Sequence, residues 1–197
     1  MSPKKTIFVI PGYRHVPTNK AYLALSEILK SEGYEPILVE IPWKKTTISE
    51  NTAHFIKTYN KIKTRKKYIL GFSYGAMIAF LAATKISVDT LILCSLSPYF
   101  QEDLPKKKVY FRSPIQADRY NDFSKLHFAT LAKKLKAKKI HLLYGTKEAR
   151  SLIRRVNDAF ARITLEDKFV QRVKAVDHNI GDKRYLETIH QIAKILN

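Results

Sequence analysis

Three short stretches of this chain hold residue types that together support nucleophilic chemistry. They are Gly71-Phe72-Ser73-Tyr74-Gly75, Gly145-Thr146-Lys147-Glu148 and Asp177-His178-Asn179-Ile180. The first matches G-x-S-x-G and lies between an apolar run, Tyr68-Ile69-Leu70, and an alanine-rich stretch of helical pattern. A serine on a tight turn between strand and helix projects its hydroxyl above the sheet. Small residues two positions to either side let the strand and helix approach closely. Ala76 and Ala79 continue the small face. A helix beginning just after Ser73 also points its positive end toward a developing oxyanion. The five-residue pattern alone is common; directly between a buried strand and a helix it is far more specific.

A hydroxyl needs a base to take its proton, and the base needs an acid to orient it. Six histidines are available. His54, His127 and His190 sit in helical patterns and His141 inside a strand, positions that suit packing or surface roles. His15 and His178 lie in loops. His178 follows the last strand and precedes the last helix, at the edge where α/β sheets place ligands, and is the expected base. His15 is expected in a substrate cleft or without a role. Glu148, at a loop-to-helix transition after the penultimate strand, is the expected acid. Asp177 and Asp182 are the alternatives, but a carboxylate beside the histidine in sequence is poorly placed to reach its ring.

The elements that must position these groups alternate along the chain. Strands are expected at 6–10, 36–41, 67–70, 90–95, 139–144 and 168–175, most of them continuous apolar runs suited to parallel strands buried on both faces. Helical stripes lie between them. Tyr22, Leu25, Ile28 and Leu29 form one, closed by Gly33. Leu152, Ile153, Val156, Phe160 and Ile163 form another, and Tyr185, Ile189, Ile192 and Leu196 the last. The alternation predicts one α/β domain over residues 1–197, doubly wound, with a mostly parallel sheet of about six strands flanked by helices.

One segment breaks the rhythm. About forty residues, 97–138, separate two strands, more than a crossover helix needs. The segment is rich in aromatics, including Tyr99, with Lys106, Lys107, Lys108, Arg112 and Arg119 among them. It is expected to form a small lid-like insertion that shapes a cleft, with Asn121 or Asp122 capping a helix that runs to about Lys136.

Composition narrows the class. Hydrophobic residues make up 45% of the 197, which excludes a disordered chain. Only four apolar residues run together near the start, Ile7 to Ile10, too few for a signal-peptide core, and the stretch Ala76 to Ala83 is far short of a membrane span. Cys94 is the single cysteine, and no Cys/His cluster has zinc spacing. A cytoplasmic protein without a transmembrane segment is expected. Lys plus Arg number 36 against 17 Asp plus Glu, formally +19. Such an excess favours anionic partners. The lysines are spread through the chain, however, and no nucleic-acid-binding motif accompanies them, so nucleic acid is not the expected partner.

With these motifs in hand, the chain resembles the α/β-hydrolase superfamily, in the minimal, short-lid form of small serine esterases. The resemblance runs from "TIFVIPGYRH" to the final helix, with "GFSYG", "GTKE" and "DHNI" in the family's order of serine, acid and histidine. It implies Ser73 as nucleophile, Glu148 as acid and His178 as base. It also implies an oxyanion hole from the amides of Tyr74 and Tyr13, with Gly12 allowing the approach. Gly12, His15 and Tyr99 would line the substrate cleft. Three departures stand out: Pro11 replaces the histidine many members carry before that glycine, the acid is Glu rather than Asp, and the two leading antiparallel strands are missing.

The expected function is a serine hydrolase acting on a small-molecule carboxylic ester or thioester, with neither metal nor organic cofactor. Lys106, Lys107, Lys108, Arg112 and Arg119 are expected to form a basic rim to a cleft lined by the segment's aromatics, which points to negative charge on the substrate's leaving-group side. A serine at the elbow argues against the aspartate chemistry of dehalogenases and epoxide hydrolases. An acyltransferase with the same triad remains open. So does a non-catalytic protein that keeps the fold and uses its basic surface for anionic partners.

Overall fold

The computed structural model describes residues 5–106 and 109–196. Six strands, β1 (Lys5–Ile10), β2 (Tyr34–Leu38), β3 (Lys66–Phe72), β4 (Val88–Cys94), β5 (Ala137–Gly145) and β6 (Lys168–Val173), form one parallel sheet. Their order is β2-β1-β3-β4-β5-β6, with the chain reversing direction across the sheet after β2. Side chains alternate between two covered faces. Ile7, Val9, Tyr68, Leu70 and Phe72 pack with Tyr22, Leu25, Leu29, Tyr185, Ile189 and Ile192. Phe8, Ile10, Ile69, Leu91 and Leu93 pack with Ile48, Phe55, Met77, Phe80 and Val156. Helices α1 (Lys20–Ser31) and α7 (Lys183–Ile195) thus cover one face, and α2 (Ile48–Lys61), α3 (Tyr74–Ala83) and α6 (Arg150–Arg162) the other. This two-sided burial explains why the strands read as continuous apolar runs.

Local signals act where the sequence puts them. Helix α1 ends with Gly33 at φ +78, a left-handed conformation that glycine adopts without steric cost. Helix α2 starts on a capping box in which Thr47 and Glu50 satisfy each other's backbone amides. Every residue of α3 is buried, as befits the helix that follows Ser73 through the centre of the molecule. No helix among the described residues is long and apolar enough to cross a membrane.

Two strands end two or more residues earlier than expected. The run expected at 36–41 is strand only to Leu38, yet Val39 and Ile41 stay buried, so its apolar pattern outlasts its pairing. The run expected at 168–175 ends at Val173, ahead of Ala175 at φ 59.

The segment between β4 and β5 departs further. It holds a 3-10 turn (Gln101–Asp103), α4 (Pro114–Phe123) and α5 (Phe128–Ala132), rather than one helix from Asn121 to about Lys136. Helix α4 begins on Ser113 with Pro114 in its first turn. Asp122 sits at the end of α4, not the start of a helix. Its carboxylate accepts from the Ser49 amide at 2.8 Å and the Ser49 hydroxyl at 2.6 Å, at the start of α2. It reinforces another helix's N-terminus, where a negative charge is favoured.

Candidate active site

Ser73 occupies the single-residue turn between β3 and α3 at φ 58, ψ −119, a region that non-glycine residues avoid. Its amide donates to the Cys94 carbonyl at 2.8 Å, and its own carbonyl accepts from Ala76 and Met77. A Cβ on Gly75 would lie 2.4 Å from the carbonyl oxygens of Ile10 and Pro11, so only glycine lets α3 start this close to β1.

Two loops at the same edge of the sheet supply the partners. His178, in the β6–α7 loop, places Nε2 2.8 Å from Ser73 Oγ. Its half-exposed ring leans on Phe72, with centroids 4.8 Å apart. Glu148, buried after β5, places Oε1 3.6 Å from His178 Nδ1. The two loops are tied by backbone: Lys147 N donates to Val176 O at 2.8 Å, and Ala175 N to Thr146 Oγ1 at 2.9 Å. A Cβ on Gly145 would lie 2.3 Å from the Val176 carbonyl oxygen, so the glycine permits that contact. Asp182 instead caps α7 through the Arg184 amide and pairs with the Arg184 side chain. Asp177 is exposed and makes no ion pair with His178 among the described residues.

The loop after β1 completes the edge. Gly12 N donates to Tyr22 OH at 2.8 Å, and Trp43 Nε1 to the His15 carbonyl at 2.9 Å. The amides of Tyr13 and Tyr74 donate to no protein group among the described residues. The Tyr13 and Tyr74 rings lie 5.5 Å apart. Beside Ser73 opens a cavity of about 600 Å³, lined by Tyr13, Tyr74, Ser97, Tyr99, Phe123 and residues of the β4–β5 segment.

No family model matches the sequence, and no curated protein matches it. Solved structures do match. Est1E from Butyrivibrio proteoclasticus shares 12% identity over 100% of this chain and 88% of that one, with a TM-score of 0.82. Alpha/beta hydrolase domain-containing protein 10 from mouse shares 18% over 100% and 91%, at 0.76. A monoacylglycerol lipase from Paleococcus ferrophilus shares 16% over 98% and 95%, at 0.74. The chain has the α/β-hydrolase fold.

On this α/β-hydrolase scaffold, Ser73, His178 and Glu148 come together as the motifs imply, and Tyr99 lines the cavity. Gly12 and His15 serve the loop rather than the cavity wall. His15 Nδ1 lies 3.0 Å from Tyr22 OH, and its ring stacks on Phe72. Burial, and then the charge of His178, hold its pKa below the usual histidine value. The remaining histidines lie away from this edge. His54 is exposed on α2, His127 is the N-cap of α5, His190 pairs with Glu32 at 2.6 Å, and His141 is buried in β5.

The basic residues distribute unevenly. Lys107 and Lys108 lie outside the described residues, and Lys106 and Arg112 are exposed. Arg119 lines the cavity itself. Three further groups carry no motif. Ser97 Oγ lies 3.3 Å from Ser73 Oγ, Ser95 Oγ donates to Glu148 at 2.6 Å, and Tyr185 OH lies 2.8 Å from Ser95 Oγ. The only sequence signal for the two serines is position, Ser95 closing the strand expected at 90–95 and Ser97 just beyond it, at the edge that holds the other candidates.

Proposed function

We propose that the protein is a serine hydrolase that cleaves a small-molecule carboxylic ester or thioester through an acyl-enzyme on Ser73. The observation that carries the reading is the 2.8 Å contact between Ser73 Oγ and His178 Nε2 at a turn of positive φ. Oγ attacks the carbonyl carbon while Nε2 takes its proton, and Glu148 balances the resulting imidazolium. The tetrahedral oxyanion faces the uncommitted amides of Tyr13 and Tyr74 and the positive end of α3. Collapse expels the alcohol or thiol, which receives the proton from His178. Water then attacks the acyl-enzyme with His178 as base, releasing the acid and restoring Ser73. The β4–β5 segment acts as a lid-like wall of the cleft.

The fold neighbours support the reaction class: one is named a monoacylglycerol lipase, and Est1E has been solved with ferulic acid bound. The test is labelling with a serine-directed fluorophosphonate, followed by a panel of esters and thioesters varied in chain length. Wild type should label and turn over part of the panel, and Ser73→Ala should do neither. Equal labelling of Ser73→Ala would end the proposal.

A further inference from the structure

We infer that the cavity beside Ser73 contains an anion subsite at Arg119, suited to an ester that carries a carboxylate at some distance from its scissile carbonyl. The inference rests on the hydrolase reading for its chemistry but on different residues for its binding.

Arg119 projects from α4 and is held by neutral acceptors alone. Its Nε donates to the Thr46 carbonyl at 2.8 Å, Nη2 to the Trp43 carbonyl at 2.8 Å and Nη1 to the Tyr13 hydroxyl at 2.5 Å. A guanidinium has five N–H donors, so two remain for a ligand. No carboxylate pairs with Arg119 among the described residues, whereas Arg162 and Arg184 each have one and Arg155 has two. The acid nearest in role, Asp103, also lines the cavity, but Arg155 holds both its oxygens at 2.7 and 2.8 Å. Asp122, one turn further along α4, is also near, but both its oxygens accept from Ser49, so no carboxylate touches Arg119 at the cavity wall among the described residues.

An unpaired lysine on a surface this basic would mean little. Arg119 differs because it is half-buried and its side chain is already immobilised by three hydrogen bonds. Little further entropy is lost when a carboxylate docks, and the planar donor set matches a carboxylate. Partial burial also weakens screening by salt relative to an exposed charge.

Tyr13 acts as a ruler. Its amide is the proposed oxyanion donor, and its hydroxyl touches Arg119. Carbonyl and anion therefore sit about one tyrosine side chain apart, too far for a malonate half-ester and suited to a longer spacer. The cavity wall also offers apolar surface, with Tyr99 and Phe123 stacked at 5.2 Å and 14°. An adipate monoester, or an aryl ester with a distal carboxylate, has the required shape.

Binding is tested in Ser73→Ala by calorimetry, comparing monomethyl adipate with methyl hexanoate. The anionic ester should bind about tenfold tighter, as expected for a charge-assisted pair in a partly buried site. That preference should persist at about 0.5 M salt, where exposed charges are screened within a few ångströms. Adding Arg119→Gln should abolish it, while Arg119→Lys retains part of it and shows that the segment still folds. Because both esters are measured in each variant, any general damage to the Tyr13 loop cancels in the ratio. Equal binding of the two esters, a preference that survives Arg119→Gln, or one that vanishes with salt would each overturn the subsite. Fluorophosphonate labelling of wild type is read separately. Anion preference without labelling would sink the hydrolase reading and leave the subsite standing.

Discussion

Ser95 donates a 2.6 Å hydrogen bond to Oε1 of Glu148, in buried space behind His178. Ser95 stands just past β4 at φ 55, and Tyr185 on α7 reaches its hydroxyl at 2.8 Å. The oxygen it holds is the one that lies 3.6 Å from His178 Nδ1, while Oε2 has no partner among the described side chains. The Ser95 hydroxyl therefore fixes the carboxylate with Oε1 toward the histidine. Ser95→Ala should lower kcat by about tenfold, because orientation rather than chemistry is lost. Glu148→Gln should cost more, on the order of a hundredfold or beyond, since it also removes the charge facing the imidazolium. Steady-state rates on one ester decide the order of the two effects. If Glu148→Gln is silent and Asp177→Asn inactive, the acid is Asp177.

Ser73→Ala and His178→Ala should each remove activity by several orders of magnitude while far-UV circular dichroism stays native. In the proposed mechanism the two groups act on one proton, so the double variant should be little worse than either single one. Rates for all three, normalised to active protein, check this. Losses that add would mean that the residues work independently.

The turn at Ser73 makes a second, opposite prediction about stability. A non-glycine residue at φ 58, ψ −119 costs about 1–3 kcal/mol, and glycine relieves most of it. Ser73→Gly should therefore be inactive yet more stable than Ser73→Ala by about 1 kcal/mol, which raises Tm by about 2–4 °C in a chain of this size. Thermal melts of the two variants measure the difference. Equal Tm values would mean that the turn relaxes once the hydroxyl is gone.

The strands and the elbow were legible in the sequence because each depends on neighbours in the chain. An apolar run such as Thr90 to Ser95, or a serine between Gly71 and Gly75, carries its own local signal. The residues that escaped depend on distant partners. The α6 stripe read as Leu152, Ile153, Val156, Phe160 and Ile163, yet the structure buries Arg155 and leaves Phe160 half-exposed. Arg155 can go inside because Asp103, from the preceding segment, neutralises it with both side chains 4% exposed. Asp122 similarly gave a cap signal, but for α2 rather than for its own part of the chain. Ser95 had only its place at a strand end, because it matters through Glu148. Arg119 was visible as one of five basic residues in the 97–138 segment, but its selection from the five depends on the loops of Tyr13 and Trp43.

His141 makes stability depend on pH in a way its strand position alone would not suggest. It lies on β5 at 1% exposure, stacked on Phe169 at 4.8 Å, with no hydrogen-bond partner for either ring nitrogen among the described residues. Burial, reinforced by the charge of Lys139, lowers its pKa to about 4, while Gln171 and Asp167 beside the ring pull the other way more weakly. In the unfolded chain the ring takes up its proton near pH 6.5, so between those two values the unfolded state binds more protons than the folded one. Stability must then rise with pH through that window and fall as the solution is acidified from about 6.5 toward 4. Complete loss of this contribution is on the order of 3 kcal/mol. Other groups titrate in the same range, so the informative quantity is the difference between wild type and His141→Phe, which keeps an aromatic ring against Phe169 and removes the titration. Urea unfolding from pH 7 to 4.5 should show His141→Phe gaining on wild type steadily as pH falls. A difference that stays constant with pH would mean that the ring is protonated, or reached by water, in the folded protein.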